Sequence, residues 1–212
     1  MDFGCGTGTD ALWYAQHGYR VIAYDNSAGM IERLRIKCAD QVSRGEIVPY
    51  CSDYERFLKL DLQPRPVAIV SNFAVLSLVS DLPRFFAALA GHVAPYGHAV
   101  VSALNPLFWE DMLRPWWWRS CVGSFGKGMI QVQGQRLCPR RYFPATVVSA
   151  AAPYFKKTGQ AGAGALILNK SHQTHNWLTP KSLAERLERR LWKTALFRNL
   201  GQFTFLVFRR SS

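Results

Sequence analysis

The chain has 212 residues, 49% hydrophobic and 19% charged, enough for one sizeable core but short of two independent domains. Its net charge of +12 is uneven, with 9 Lys and Arg against 12 Asp and Glu in residues 1–112, and 17 against 2 in residues 113–212. Cys5, Cys38, Cys51, Cys121 and Cys138 are odd in number, widely spaced and without a C-x-x-C pair, which argues against a disulfide framework or zinc site and fits a reduced, cytoplasmic protein.

Asp2-Phe3-Gly4-Cys5-Gly6-Thr7-Gly8-Thr9-Asp10 opens the chain with three glycines at alternate positions, ahead of a helix predicted from Asp10 to His17 and ended by Gly18. Backbone without side chains at a helix start is suited to lie against a ligand. A dinucleotide turn would place a third glycine where Thr9 stands, so the pattern is G-x-G-x-G, not G-x-G-x-x-G. The strand predicted over Tyr19–Tyr24 ends in Asp25, where a carboxylate is placed to accept from two ribose hydroxyls. A nucleoside ligand follows from these two features. Cys5, inside the turn, reads either as a reactive thiolate or as a small residue that fits.

Ser27 is the predicted N-cap of a helix through Cys38, with Met30, Ile31 and Leu34 at helical spacing; Met30 fits either a nucleoside contact or the core. Ile47–Cys51 is a short strand whose Pro49 suits an edge, and it leads to Asp53 and Tyr54. Val67–Val70, continuously apolar, reads as a strand buried on both faces and is followed by Ser71-Asn72-Phe73. Asp81 caps a helix with Pro83 two places on and Phe85, Phe86, Leu89 and Ala90 facing inward. Pro95-Tyr96-Gly97 turns into a strand over His98–Ala103.

These segments resemble the class I S-adenosylmethionine-dependent methyltransferases. Asp2–Gly8 is similar to their first motif, Asp25–Met30 to the acidic second motif, Cys51–Tyr54 to the end of strand three and Val70–Phe73 to the fourth-strand motif, while Ala94-Pro95-Tyr96-Gly97 departs from their usual Pro-Gly-Gly turn. The resemblance covers about residues 1–105. It implies an α/β fold, the Rossmann-like three-layer sandwich, mostly parallel with an antiparallel last strand. It also implies an S-adenosyl-L-methionine cofactor. Gly4, Gly6 and Gly8 would meet its methionine part, Asp25 the ribose, Asp53 and Tyr54 the adenine, and Asn72 and Phe73 the sulfonium region, with Asp2, Asn26 and Met30 also among the cofactor-binding residues. Only Met1–Phe3 stand for a first strand that this family places centrally, so the chain is expected to begin within that strand and to lack most of it.

The division expected is 1–103 for the cofactor-binding part, 104–150 for an aromatic-rich insertion, and 151–212 for strands and a helix that complete the same sheet. In the insertion, Phe108, Trp109 and Trp116-Trp117-Trp118 lie beside Arg114 and Arg119, which fits a lid over a hydrophobic substrate, a membrane interface or a packed subdomain. Gly123, Gly126, Gly128 and Gly134 mark a hairpin region. A strand is predicted over Phe155–Ala163, a polar loop over Asn169–Trp177, a helix from Thr179-Pro180 through Leu191, and a last strand over Gln202–Phe208. That strand is apolar on both sides apart from Thr204 and is expected between strands five and six.

Residues 85–109 lack charge, but Pro95, Gly97 and Pro106 break the run below membrane-spanning length, and no secretory leader is visible. Lys170, His172 and His175 make no metal-ligand pattern. The basic half fits an acidic small molecule, a nucleic acid, an anionic membrane or simple solvation. The expected activity is methyl transfer to a small-molecule acceptor, which the aromatic insertion suggests is lipophilic; a silent truncated chain and a basic nucleic-acid methyltransferase are the alternatives. Ser71-Asn72-Phe73-Ala74 lacks the Pro-Pro of nucleic-acid base methylators, which counts against the last. Asp25→Ala is expected to abolish cofactor binding and leave the fold intact.

Overall fold

The computed structural model describes residues 1–113, 115, 117–118, 130–132, 135–137, 139–164, 186–187, 190–192 and 194–211. The loop expected over 169–177, Arg114, Trp116, Arg119 and the four insertion glycines lie outside the described residues, as does most of the helix expected from Thr179.

Seven strands form one mixed sheet in the order β3-β2-β1-β4-β5-β9-β8. These are β1 (Asp2–Phe3), β2 (Val21–Asp25), β3 (Ile47–Cys51), β4 (Ala68–Ser71), β5 (His98–Leu104), β8 (Phe155–Ala163) and β9 (Phe203–Arg210). The run from β3 to β5 is parallel, β9 is antiparallel to β5, and β8 is antiparallel to β9. The last strand therefore lies where the sequence places it, between β5 and β8. β1 is two residues long, pairing Asp2 with Ala23 and Val70, and Phe3 with Tyr24. A separate hairpin pairs β6 (Ile130–Val132) with β7 (Gln135–Leu137) inside the insertion.

Two apolar clusters cover the two faces of the sheet. Alternation along β2 sends Val21 and Ala23 to one cluster and Tyr24 to the other. On the first face, Ala11 and Ala15 of α1 (Thr9–Gln16) and Ile31 and Leu34 of α2 (Ala28–Lys37) are buried. The short α3 (Ala39–Ser43) follows α2. On the other face, Phe57 of α4 (Tyr54–Leu58) and Phe85, Phe86 and Leu89 of α5 (Leu82–His92) join Phe3, Phe155 and Phe208. This is a three-layer sandwich with antiparallel last strands.

The helix caps follow the sequence. Ser27 accepts from the Met30 amide and Asp81 from the Arg84 amide, with Pro83 in the first turn of α5. Several elements differ from expectation. Val67 precedes β4 and is exposed, and within β4 only Ile69 and Ser71 are fully buried while Ala68 and Val70 are half-buried, so the strand is not buried on both faces as expected. Thr204 faces inward with its hydroxyl unpartnered, while Phe203, Phe205 and Val207 are half-buried. Helix α7 (Pro144–Ala151) spans the boundary expected at residue 150 and buries Val147 and Ala151 in the second cluster. Ahead of β9 lies α8 (Ala195–Leu200).

The insertion leaves the sheet at the C-terminal end of β5 through α6 (Trp109–Met112). Its Trp117 is buried and donates to the Pro106 carbonyl at 2.8 Å, whereas Trp118 is exposed and donates to the Met112 carbonyl at 2.9 Å. Arg141 is tied to Asp111 at 2.5 Å and to the Asn105 carbonyl at 2.9 Å, and both charged side chains are largely buried. Tyr142 donates to the Val79 carbonyl at 2.5 Å. The Tyr142 bond, with that of the Arg140 amide to the Ser77 carbonyl at 2.7 Å, fastens the insertion to the loop that follows β4, while the others tie the insertion to itself.

Candidate functional site

β1 ends in a turn whose shape depends on its glycines. Gly4, Gly6 and Gly8 have φ of 79°, 52° and 78°. The Gly4 and Cys5 amides both donate to the Tyr24 carbonyl, at 2.8 and 2.9 Å, and Gly8 then starts α1. A Cβ at Gly4 would lie 2.5 Å from Val75 Cγ2, and one at Gly8 would lie 2.6 Å from Leu34 Cγ. At Gly6 a Cβ would meet nothing within 4 Å. Two glycines are thus required by packing, and the middle one opens onto free space.

Asp25, at the tip of β2, accepts from the Gly6 amide through Oδ2 and from the Ser27 amide through Oδ1, both at 2.9 Å. Each carboxylate oxygen keeps a further lone pair for a ligand hydroxyl. This corrects the expectation that Asp25→Ala would spare the fold, because the carboxylate also braces the turn. Asn26 beside it is exposed, and Met30 is half-buried within α2.

Asp2 is the least ordinary group. It is only 2% exposed and its Oδ2 has no hydrogen-bond partner. Burial, then the Asp10 and Asp25 carboxylates, push it up to about 7, against the pull of the Met1 ammonium and the Ala11 amide. An orphaned buried carboxylate oxygen fits a cationic donor from a ligand. Cys5 is buried, and its thiol is pushed well above its usual range by burial and by Asp2 and Asp25, so it acts as a small packing residue and not as a nucleophile.

Asn72 follows β4 and donates to Asp10 Oδ2 at 2.8 Å, while its own Oδ1 accepts from the Phe73 amide at 2.9 Å. Ala74 donates to Ser102 Oγ of β5 at 2.8 Å. At the tip of β3, Asp53 caps α4 by accepting from the Arg56 amide at 2.8 Å. Tyr54 is half-buried, its hydroxyl unpartnered and raised to about 12 by burial.

The expected residues therefore lie within or beyond the C-terminal ends of four adjacent strands, β3, β2, β1 and β4, with Met30 in the first turn of α2. Strand order reverses between β1 and β4, the place where open α/β sheets hold their ligands. A cavity of about 480 Å³ lies at the other end of the strands, between Val21 and Ala68 and under Tyr14 and His17, and is separate from this site. Sequence reasoning missed Ser102, which carries no local signal, and the link from Asp10 to Asn72, which depends on β1 and β4 being neighbours. Among the described residues, no group of three or more His, Cys, Asp or Glu is arranged to hold a metal ion, and no helix is long and apolar enough to cross a membrane.

A family described as a methyltransferase domain matches residues 1–191. No curated protein matches the chain. Among solved structures, an S-adenosylmethionine-dependent methyltransferase from Mesorhizobium loti is 20% identical, with a TM-score of 0.61 over 99% of this chain and 89% of that one. The CcbJ methyltransferase from Streptomyces caelestis is 17% identical, with a TM-score of 0.63 over 100% and 82%. Geranyl diphosphate C-methyltransferase from Streptomyces coelicolor, solved with geranyl diphosphate and S-adenosyl-L-homocysteine, is 16% identical, with a TM-score of 0.60 over 99% and 69%. At these identities the likeness is one of fold.

Proposed function

The chain belongs to the methyltransferase domain family and has the fold of S-adenosylmethionine-dependent methyltransferases, and on that premise we propose that it transfers a methyl group from S-adenosyl-L-methionine to a small, lipophilic acceptor. The observation that carries this reading is the pairing of an open backbone turn at Gly6 with the buried, unpartnered oxygen of Asp2. Together they suit an amino-acid part bearing an ammonium group. Asp25, with Asn26 beside it, takes the ribose hydroxyls. Met30, Asp53 and Tyr54 border the adenine, with the Asp53 carboxylate already engaged in its cap. Asn72 and Phe73 face the sulfonium region.

The bound cofactor supplies an electrophilic methyl group on a sulfonium. The chain's residues hold the donor and exclude water, and alignment alone is worth roughly 7–11 kcal/mol in well-oriented reactions. No general base is assigned. A lipophilic acceptor is supported by exposed apolar side chains on and near the insertion, among them Trp109, Leu113, Trp118 and Leu78. The insertion springs from the C-terminal end of β5, the edge on which the other site residues lie.

Isothermal titration with S-adenosyl-L-homocysteine tests the donor half, and saturable binding is expected. Transfer of labelled methyl to a panel of lipophilic small molecules, with RNA and DNA as controls, tests the acceptor half. No binding would overturn the first half, and transfer to nucleic acid alone would overturn the second.

A further inference from the structure

β1 is two residues long, and the strands on either side of it start earlier in the ladder. Asp2 stands opposite Ala23 of β2 and Val70 of β4. The Met1 nitrogen donates to the Ala68 carbonyl at 2.8 Å, and the Val70 amide donates to the Met1 carbonyl at 2.9 Å. Met1 therefore lies opposite Ile22 and Ile69 and carries the ladder one place before β1. Continued backward in the same register, the next place falls between Val21 and Ala68, the second between Arg20 and Val67, and the third between Tyr19 and Pro66. Those two rows, Tyr19–Val21 and Pro66–Ala68, are opposite walls of the cavity of about 480 Å³, and Met1 lines it too.

Backbone and side chains both suit an extended chain there. Bonds along β1 alternate between its neighbours: the Gly4 amide turns to the Tyr24 carbonyl of β2, and the Met1 nitrogen to the Ala68 carbonyl of β4. By that alternation the Ile22 amide points to a carbonyl one place before Met1, and the Ala68 amide to a carbonyl two places before it. The Val21 amide faces the other way and donates to the Glu46 carbonyl at 2.8 Å. Side chains alternate as well. Met1 and Phe3 pack with the second cluster, so the place before Met1 faces the first, under Tyr14 of α1 and His17 after it. Val67 and Tyr19 expose apolar surface along the walls, Arg20 and His17 bring cationic or neutral groups, and among the described residues no Asp or Glu lines the cavity.

We propose that this cavity is a strand-acceptor slot for a separate extended peptide, which lies parallel to β2 and β4 with its C-terminal end against Met1, apolar side chains in the slot and acidic ones at its N-terminal mouth. Main-chain bonds to β2 and β4 supply the affinity of such an added strand, and the alternate side chains its selectivity. The slot opens at the opposite end of the strands from Gly6 and Asp25, so it stands or falls separately from the cofactor reading.

The test is titration calorimetry of the N-acetylated peptide Glu-Glu-Val-Ile-Val, with a free carboxylate, into the whole chain, together with amide hydrogen exchange of the complex. Saturable binding is expected, with the Ile22 and Ala68 amides gaining at least about tenfold more protection than the Val21 amide, which the Glu46 carbonyl holds in either state. N-methylation of the peptide's last valine removes the N–H directed at the Arg20 carbonyl and is expected to weaken binding about tenfold or more. No saturable binding up to about 1 mM would overturn the proposal. Equal binding of the N-methylated peptide, or protection of neither amide, would make the slot an apolar cavity without strand addition and overturn it as well.

Discussion

Replacing Asp2 by Asn exchanges a buried carboxyl that titrates near neutrality for an amide of the same shape that does not titrate. In the unliganded chain burial lifts Asp2 from 3.8 to about 7, with Asp10 and Asp25 adding and the Met1 ammonium and Ala11 amide opposing. The folded state then holds the proton more firmly than the unfolded one. The stability this contributes is fully present below 3.8 and is lost as the pH rises through about 7, a difference of ~4 kcal/mol by pH 8. A ligand ammonium at the orphaned Oδ2 needs the charged form, so binding has to expel the proton. With the carboxyl near 7, affinity for S-adenosyl-L-homocysteine is expected to fall about tenfold from pH 8 to pH 6, with about one proton released at pH 6. Titration calorimetry at both pH values, in two buffers of different ionisation enthalpy, reads affinity and proton release together. The Met1 ammonium, held down to about 6 by burial, titrates in the same window and is coupled to Asp2, so the difference between the two chains at each pH reports the Asp2 carboxyl together with its pull on that ammonium. Asp2→Asn should bind weakly, show a flatter pH profile with that proton release gone, and melt higher than the unaltered chain at pH 8. An identical pH profile in the two chains would refute the reasoning.

The glycines of the turn should separate by task. Gly4→Ala meets stiff, β-branched Val75 in a left-handed conformation and should cost about 2–4 kcal/mol in thermal unfolding. Gly6→Ala meets nothing and should cost only about 1–2 kcal/mol, yet weaken S-adenosyl-L-homocysteine at least about tenfold by filling the open side of the turn. Asp25→Ala should lose binding and also about 1–3 kcal/mol of stability, since the Gly6 and Ser27 amides lose their acceptor; a melting temperature equal to that of the unaltered chain would show that the brace contributes nothing. Arg141→Met removes the guanidinium from beside buried Asp111 and should cost about 3–5 kcal/mol, with Asp111→Asn in the same chain recovering much of it, both read by denaturant unfolding.

What could be read from the sequence was what short-range chemistry decides. The Ser27 and Asp81 caps, the short strand over Ile47–Cys51 and the edge position of Pro49 needed no knowledge of distant residues. Helix α4 escaped notice because five residues carry no helical period, and its capping Asp53 reads equally well as a ligand contact. Helix α7 escaped because Thr146, Val147 and Val148 favour strands, and packing of Val147 and Ala151 on the core overrides that preference. The adjacent Trp117 and Trp118 could not be told apart, since consecutive helical positions point to different sides and only the fold decides which side is the interior.

The site follows the same division. The candidate residues after β2, β3 and β4 lay open in the sequence because those strands announce themselves. The bonds that join them did not, because they span 19 positions from Gly6 to Asp25, 62 from Asp10 to Asn72 and 28 from Ala74 to Ser102, and exist only once β2, β1, β4 and β5 lie side by side in that order. The three glycines look alike in sequence and differ in cause: Gly4 is fixed by a neighbour on the β4 loop, Gly8 by a neighbour on α2, and Gly6 by the free space it faces. A sequence motif of this kind therefore combines constraints from two sources, the packing of this chain and the approach of a ligand. The distance a Cβ would have to a neighbour separates them: packing accounts for Gly4 and Gly8 and does not account for Gly6.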